Sequence, residues 1–318
     1  MREGVLVITG GPGTGKTTII HTIIQIFKSS GMEVVLAAPT GRAAKRMTET
    51  TGIEAKTIHR MLGVAYADDD NGRQKFDKNE ADVIIIDEVS MVDMQLFNNL
   101  LKAIEPGTRL ILVGDANQLP SVAAGNVLKD IIKSEKIKVV RLTEIFRQAR
   151  ESAIITNAHK INSGEEPVMN GKNTDFFFVN AQYAPEDPGK IVELLTKRLP
   201  KFTGVDSFSD MQVLTPMRKG DIGAAGLNKT LQKALNPPSD GKKEYETSSC
   251  TFREGDKVMQ IKNNYNISWK IENRLGKVID DGTGIYNGDM GIIKSINKQA
   301  ETITVLFDDM RQAVYEFT

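Results

Sequence analysis

Residues 10–17 read Gly-Gly-Pro-Gly-Thr-Gly-Lys-Thr and stand between a short β-branched run (VLVIT, 5–9) and an amphipathic pattern at helical spacing (16–27). No other feature of the chain constrains the fold as strongly. The segment fits G-x-x-x-x-G-K-[ST]. Its glycines let backbone N–H groups curl inward around anionic oxygens. The helix that follows aims its positive N-terminal end at the same place. Lys16 adds a mobile cation suited to β- and γ-phosphates, and the Thr17 hydroxyl can hold Mg²⁺. A strand before and a helix after are the context that separates a phosphate cradle from an ordinary glycine turn. Gly11, Pro12, Gly13, Thr14, Gly15, Lys16, Thr17 and Thr18 are therefore the expected cofactor-binding residues.

The alternation that begins there continues. Apolar runs at 34–38, 83–87, 110–113 and 139–142 read as buried strands, and 41–50, 94–104 and 126–133 as helices between them. Strands that are apolar throughout, alternating with helices, predict a parallel sheet covered on both faces. A helix is expected over 152–161, and a domain junction near 150–175. Beyond it, 211–214 (MQVL) reads as another buried strand, 224–235 as a helix and 236–250 as a polar loop. From residue 255 the texture changes to short strand-like runs at 257–262, 290–296, 302–307 and 313–317. Asn287-Gly288 and Asp308-Asp309 supply turns between them, which predicts a small antiparallel barrel or sheet.

Composition narrows the class. The 318 residues are 40% hydrophobic and 26% charged, which fits a globular protein and argues against wholesale disorder. One cysteine, Cys250, excludes an intrachain disulfide and a cysteine-based zinc cluster. No apolar run approaches a membrane span and no charged-then-apolar leader opens the chain, so no membrane partner and a reducing cytoplasm are expected. Basic and acidic groups balance at 41 each. Residues 1–150 carry 20 and 18, and 151–318 carry 21 and 23, so neither half is a basic domain. Any nucleic-acid reading must rest on local residues. The basic stretch 39–60, followed by the largely acidic 67–80, reads on charge alone as a solvated helix face beside a solvated loop.

A second strand supplies further chemistry. Val83-Ile84-Ile85-Ile86 ends in Asp87-Glu88. A carboxylate at the tip of a buried strand can hold magnesium, and a second beside it can align and deprotonate a water. A water-activating acid suits nucleoside triphosphate hydrolysis. A small-molecule kinase would exclude water and present an acceptor pocket. Leu112-Val113-Gly114-Asp115 repeats the strand-then-polar pattern and leads to Gln118, a neutral amide able to report a γ-phosphate.

Taken in order, GGPGTGKTT, AAPTGRAAKRM, TIHRMLG, IIIDEVSMVD, LVGDANQLPSVAAGNVL and LTEIFRQ resemble successive motifs of superfamily-one helicases of the RecD-like group. VLTPMRKGDIGAAGLN, FREGDKVMQIKNNY and IYNGDMGII are similar to the second motor domain and its inserted barrel. The resemblance spans nearly the whole chain. It implies an α/β fold with a RecA-like P-loop NTPase parallel sheet over 1–150, carrying a wedge-like hairpin insertion near 64–80. It further implies a partial second RecA-like lobe over 151–254 and a small β-rich, barrel-like domain over 255–318. Lys16 and Thr17 would bind ATP phosphates and Mg²⁺, Asp87 would hold Mg²⁺ and Glu88 would be the general base. Gln118 would sense the γ-phosphate, and Arg147 would stabilise it with a fixed charge. Pro39, Thr40, Thr57 and His59 would touch a single DNA strand crossing the C-terminal ends of the strands, where α/β sheets place ligands.

The implied activity is ATP-dependent translocation on single-stranded DNA with duplex unwinding at single/double-strand junctions, in repair or recombination, alone or beside partner helicase-nuclease subunits. Departures from the family pattern are specific. Few residues precede the first strand, so the upstream glutamine motif that grips adenine is not in this sequence. Ala123 stands where the family usually has Gly, and two later motifs, one with a further arginine, lie beyond Thr318. The expectation is a fragment of a larger helicase. Two other classes stay open: a nucleotide-sensitive single-strand-binding module without motor activity, and another P-loop ATPase or kinase.

Overall fold

The computed structural model describes residues 4–63, 81–169, 171, 174–180 and 188–317. The chain divides into two compact units, Met1–Phe178 and Val179–Thr318. The hairpin expected near 64–80 lies outside the described residues.

Unit 1 follows the order β1 (Val5–Gly10), α1 (Lys16–Ser29), β2 (Val34–Ala38), α2 (Gly41–Thr51), β3 (Ala55–Thr57), α3 (Ile58–Met61), β4 (Val83–Ile86), α4 (Met94–Ala103), β5 (Arg109–Gly114), α5 (Val127–Ser134), β6 (Lys138–Leu142), α6 (Arg147–Arg150) and α7 (Ala153–Asn162). The strands form a six-stranded sheet in the order β3-β2-β4-β5-β1-β6. Every pairing in it is parallel. This is the RecA-like arrangement expected from the sequence.

The two faces of the sheet explain why the strands are apolar throughout. Successive side chains point to opposite faces. Val7, Ile84, Ile86 and Leu112 join one core with Ile58, Leu96, Leu100 and Leu128. Ile8, Ile85, Ile111 and Val113 join the other with Ile20, Ile24, Phe27 and Met47. Helix ends are set by local hydrogen bonding. Thr40 Oγ1 accepts from Ala43 N at 3.2 Å, Thr57 Oγ1 from Arg60 N at 3.1 Å, and Asp93 Oδ1 from Leu96 N at 2.8 Å. Gly52, at φ 69°, closes α2 in the left-handed conformation that glycine adopts without strain.

Unit 2 holds α8 (Gly189–Glu193), a π turn (Leu194–Arg198), α9 (Leu199–Thr203), α10 (Ala224–Leu235) and the two-stranded pair β7 (Glu244–Glu246) and β8 (Thr251–Arg253). Then come β9 (Lys257–Met259), β10 (Asn264–Glu272), β11 (Val278–Ile285), β12 (Met290–Asn297), β13 (Thr302–Phe307) and β14 (Gln312–Glu316). These six form an antiparallel sheet in the order β11-β10-β14-β13-β12-β9. Its core is Ile285, Ile293, Ile296, Ile303, Val305, Phe307 and Ala313.

The buried strand expected at 211–214 does not form, and Leu214 is 87% exposed. The backbone there is engaged differently: Lys257 Nζ donates to the carbonyls of Phe208, Ser209 and Met211 at 2.9, 3.0 and 3.4 Å. The stretch 236–250, expected to be a loop, contains β7. The long β10–β11 hairpin goes beyond the runs read as strands; along β10 Ile267 and Trp269 pack on the core and alternate with Asn266, Ser268 and Lys270, the pattern of a half-buried strand.

Candidate nucleotide-binding site

The C-terminal ends of β1, β4 and β5 converge on one edge of unit 1. β1 runs into the glycine loop, which turns through Gly13 (φ 72°) and Gly15 (φ 82°) and enters α1 at Lys16. Both values lie in the left-handed region, where a side chain costs strain. Thr14 is buried and its Oγ1 donates to the Gly11 carbonyl at 2.8 Å, holding the loop curled. Lys16 Nζ donates to the carbonyls of Gly10 and Gly11 at 2.8 and 3.1 Å. The cation thus rests on the loop's own oxygens. Thr17 and Thr18 are exposed in the first turn of α1.

Asp87 follows β4 and is anchored through its N–H to the Ala37 carbonyl of the adjacent strand, at 3.0 Å. Its Oδ1 accepts from Glu88 N at 2.8 Å. Glu88 takes φ 53°, a left-handed conformation that is uncommon for a non-glycine residue. Glu88 Oε2 is buried with no hydrogen-bond partner among the described residues. Burial pushes both carboxyls above the usual carboxylate range, and for Glu88 the neighbouring Asp87 charge adds to it. The charges of Lys16 and Arg46 pull both the other way. That shared influence places the loop cation and both carboxylates in one electrostatic site. Arg46, from α2, was not picked out by sequence reasoning, since only folding brings α2 to this edge.

After β5, buried Asp115 organises the next loop. Its Oδ1 accepts from Asn117 N at 2.9 Å, and its carbonyl accepts from Gln118 N at 3.2 Å. Thr9 Oγ1 accepts from Ala116 N at 3.2 Å, tying this loop to β1. The Gln118 side chain is exposed. Arg147 opens α6, and its side chain lies outside the described residues.

Pro39 and Thr40 follow β2, and Thr57 and His59 follow or end β3. Ala38 pairs with Thr57 across these neighbouring parallel strands, so the four residues share one edge. Pro39, Thr40 and His59 are half-buried and Thr57 is buried. His59 Nδ1 is buried without a hydrogen-bond partner among the described residues. Burial lowers the His59 pKa, and the Asp93 charge opposes that shift.

The donor set fits a nucleotide. Loop N–H groups ahead of a helix N-terminus, a lysine and an exposed hydroxyl are what phosphates need, and the nearby carboxylates, one with an oxygen lacking a partner among the described residues, are what a metal and a water need. Among the described residues no helix is long and apolar enough to cross a membrane.

Known proteins resemble this chain in sequence. Residues 1–177 match the family described as "AAA domain", and residues 227–307 match "ATP-dependent RecD-like DNA helicase SH3 domain". The chain is 37% identical over 309 residues to the "ATP-dependent RecD2 DNA helicase" of Deinococcus radiodurans, covering 96% of this chain and 38% of that protein. It is 38% identical over 157 residues to "RecBCD enzyme subunit RecD" of Mycolicibacterium smegmatis, covering 42% of this chain and 28% of that one. A solved structure described as "Structural Basis for DNA Unwinding at Forked dsDNA by two coordinating Pif1 helicases" aligns at 19% identity and TM-score 0.49, over 98% of this chain and 72% of the other. The chain spans well under half the length of these curated relatives. With a family match over more than half its residues, on the segment that holds the glycine loop and both carboxylates, this chain belongs to the AAA-domain family.

Proposed function

We propose that this chain is the nucleotide-hydrolysing part of an ATP-dependent DNA helicase. It couples ATP hydrolysis to movement along single-stranded DNA and to duplex separation at single/double-strand junctions, in cytoplasmic DNA repair or recombination. Within unit 2, residues 179–254, a later start than the expected 151, serve as a partial second RecA-like lobe and 255–318 as a barrel-like domain. Partner helicase-nuclease subunits of the kind implied by the relatives' names would belong to the whole protein. The observation that carries the reading is Glu88: a left-handed backbone presents a buried carboxylate oxygen, without a partner among the described residues, beside Asp87 and within the field of Lys16.

When bound, ATP supplies the scissile phosphoanhydride and Mg²⁺ offsets the negative charge of its phosphates. Lys16, which donates to the Gly10 and Gly11 carbonyls, would pair with phosphate oxygens, and the N–H groups of Gly11 through Thr18, Pro12 excepted, would line the cradle. Thr17 and Asp87 would hold the metal. Glu88 Oε2 orients a water and takes its proton, a role served by a carboxyl held above its ordinary range. Gln118 senses the terminal phosphate and Arg147 stabilises charge on it. Pro39, Thr40, Thr57 and His59 contact the strand. Thr57 Oγ1 accepts from Arg60 N and still has its own hydrogen to donate.

The test is ATPase activity of the full-length protein with and without single-stranded DNA. Stimulation by DNA is the expected result. Turnover that ignores DNA overturns the motor reading, and phosphoryl transfer to an acceptor other than water overturns the hydrolase reading.

A further inference from the structure

Three glycines of the phosphate loop are each faced by a side chain from the segment after β6. A methyl group on Gly15 would lie 2.1 Å from Phe146 Cε2. One on Gly13 would lie 2.7 Å from Ala149 Cβ, and one on Gly11 would lie 2.6 Å from His159 Cε1. Phe146 N also donates to the Gly13 carbonyl at 3.1 Å. These glycines therefore serve two purposes: they free the N–H groups for phosphate and they admit residues 146–159 onto the loop's back. Among the described residues that face these three positions, His159 is the polar one. Its Nε2 lies 2.9 Å from the Pro12 carbonyl oxygen. A carbonyl only accepts, so Nε2 carries the proton.

We propose that His159 is a positioning residue for nucleotide hydrolysis: its Nε2–H holds the Gly11–Pro12 turn and locks α7 to the phosphate loop. This rests on the hydrolase reading above. Lys16 Nζ occupies the Gly10 and Gly11 carbonyls when no phosphate competes for it. Once the amine swings to phosphate, this end of the loop loses its lysine tether. The His159 hydrogen bond does not compete with phosphate and stays. It fixes the turn during chemistry and links it to the chain segment that contains Arg147. Helix α7 does not depend on His159 for its own place. Ser152 Oγ caps it by accepting from Ile155 N at 3.3 Å and donates to Asp175 at 2.6 Å. Buried Asn157 makes two bonds to the Val168 backbone, both 2.8 Å. Substitution of His159 therefore leaves the helix anchored.

The experiment compares wild type, His159→Phe, His159→Gln and His159→Ala in the full-length protein, measuring kcat and KM for ATP with saturating single-stranded DNA, and thermal melting. Loss of one well-aligned hydrogen bond in the reacting state corresponds to roughly a tenfold change in rate. His159→Phe, which keeps a ring and loses the donor, should lower kcat by about that factor with KM unchanged. His159→Gln, whose amide N–H reaches the same carbonyl, should restore most of it. Wild-type kcat in His159→Phe, equal loss in Phe and Gln variants, or a loss that tracks melting temperature overturns the assignment. An inactive wild-type protein instead sinks the hydrolase reading and this assignment with it, so the two failures are distinguishable.

Discussion

Glu88 combines a left-handed backbone, an orphaned carboxylate oxygen and a charge that burial disfavours. Such a residue works against stability and in favour of reactivity. Glu88→Gln should lower kcat for ATP hydrolysis by about 10²- to 10⁴-fold, the usual contribution of a general base, while leaving nucleotide binding intact. A filter-binding assay beside the turnover assay separates the two effects. The same variant should melt at a higher temperature near neutral pH. The folded-state pKa lies above the unfolded one, so ionised Glu88 costs stability at pH values above both, and the amide removes that cost. Base function requires the ionised form, so wild-type kcat should fall as pH drops through a value above the ordinary glutamate range, and Glu88→Gln should lack that limb. Lys16, Thr17, Asp87 and Glu88 can be proposed from the sequence because the chemistry expected of them depends on neighbours in the chain, and the fold sets Lys16, Asp87 and Glu88 in one electrostatic neighbourhood. Arg46 and His159 were not, because their distance from the loop exists only after α2 and α7 have packed. Thr40 and Thr57 were marked for DNA contact, and their capping of α2 and α3 also followed a local rule.

Elements were legible where their apolar residues had a core on both sides. The strands β1, β2, β4 and β5 are such cases, and their helices carry one apolar face each. The stretch 211–214 misled because a short apolar run says nothing about whether a partner strand exists; its carbonyls are taken by Lys257 instead. The β10–β11 hairpin was hidden for the opposite reason, with one face only half-covered. Two predictions belong to this scale. Thr40→Ala removes the cap of α2 and should destabilise unit 1 by about 1 kcal/mol in chemical denaturation. Arg311 joins three parts of the second sheet. Its guanidinium donates to Asp309 and Asp289, both at 2.8 Å, and to the Gly284 carbonyl at 3.0 Å. Arg311→Met would leave the Asp289 carboxylate, 8% exposed, without its counter-charge. Unit 2 should lose about 3 kcal/mol, read as an earlier unfolding transition, because a buried charge stripped of its partner is costly.

For the whole molecule, the neutral total of 41 basic and 41 acidic groups says little about ligands, because the edge expected to meet DNA uses hydroxyls, a half-buried histidine and local cations. Phosphate contact still releases counterions, so affinity for single-stranded DNA should fall as salt rises, linearly on logarithmic axes. Fluorescence anisotropy across a salt series measures the slope, and a flat response would contradict backbone contact. The order of the second sheet has one more consequence. β14 is the last of its strands to be made, yet it lies between β10 and β13 and pairs with both. Until residues 312–316 have left the ribosome, the hairpin β10–β11 and the pair β12–β13 each present an unpaired edge that only β14 can satisfy. Such edges invite pairing with other chains, so this sheet stays open to mispairing until β14 is in place between β10 and β13.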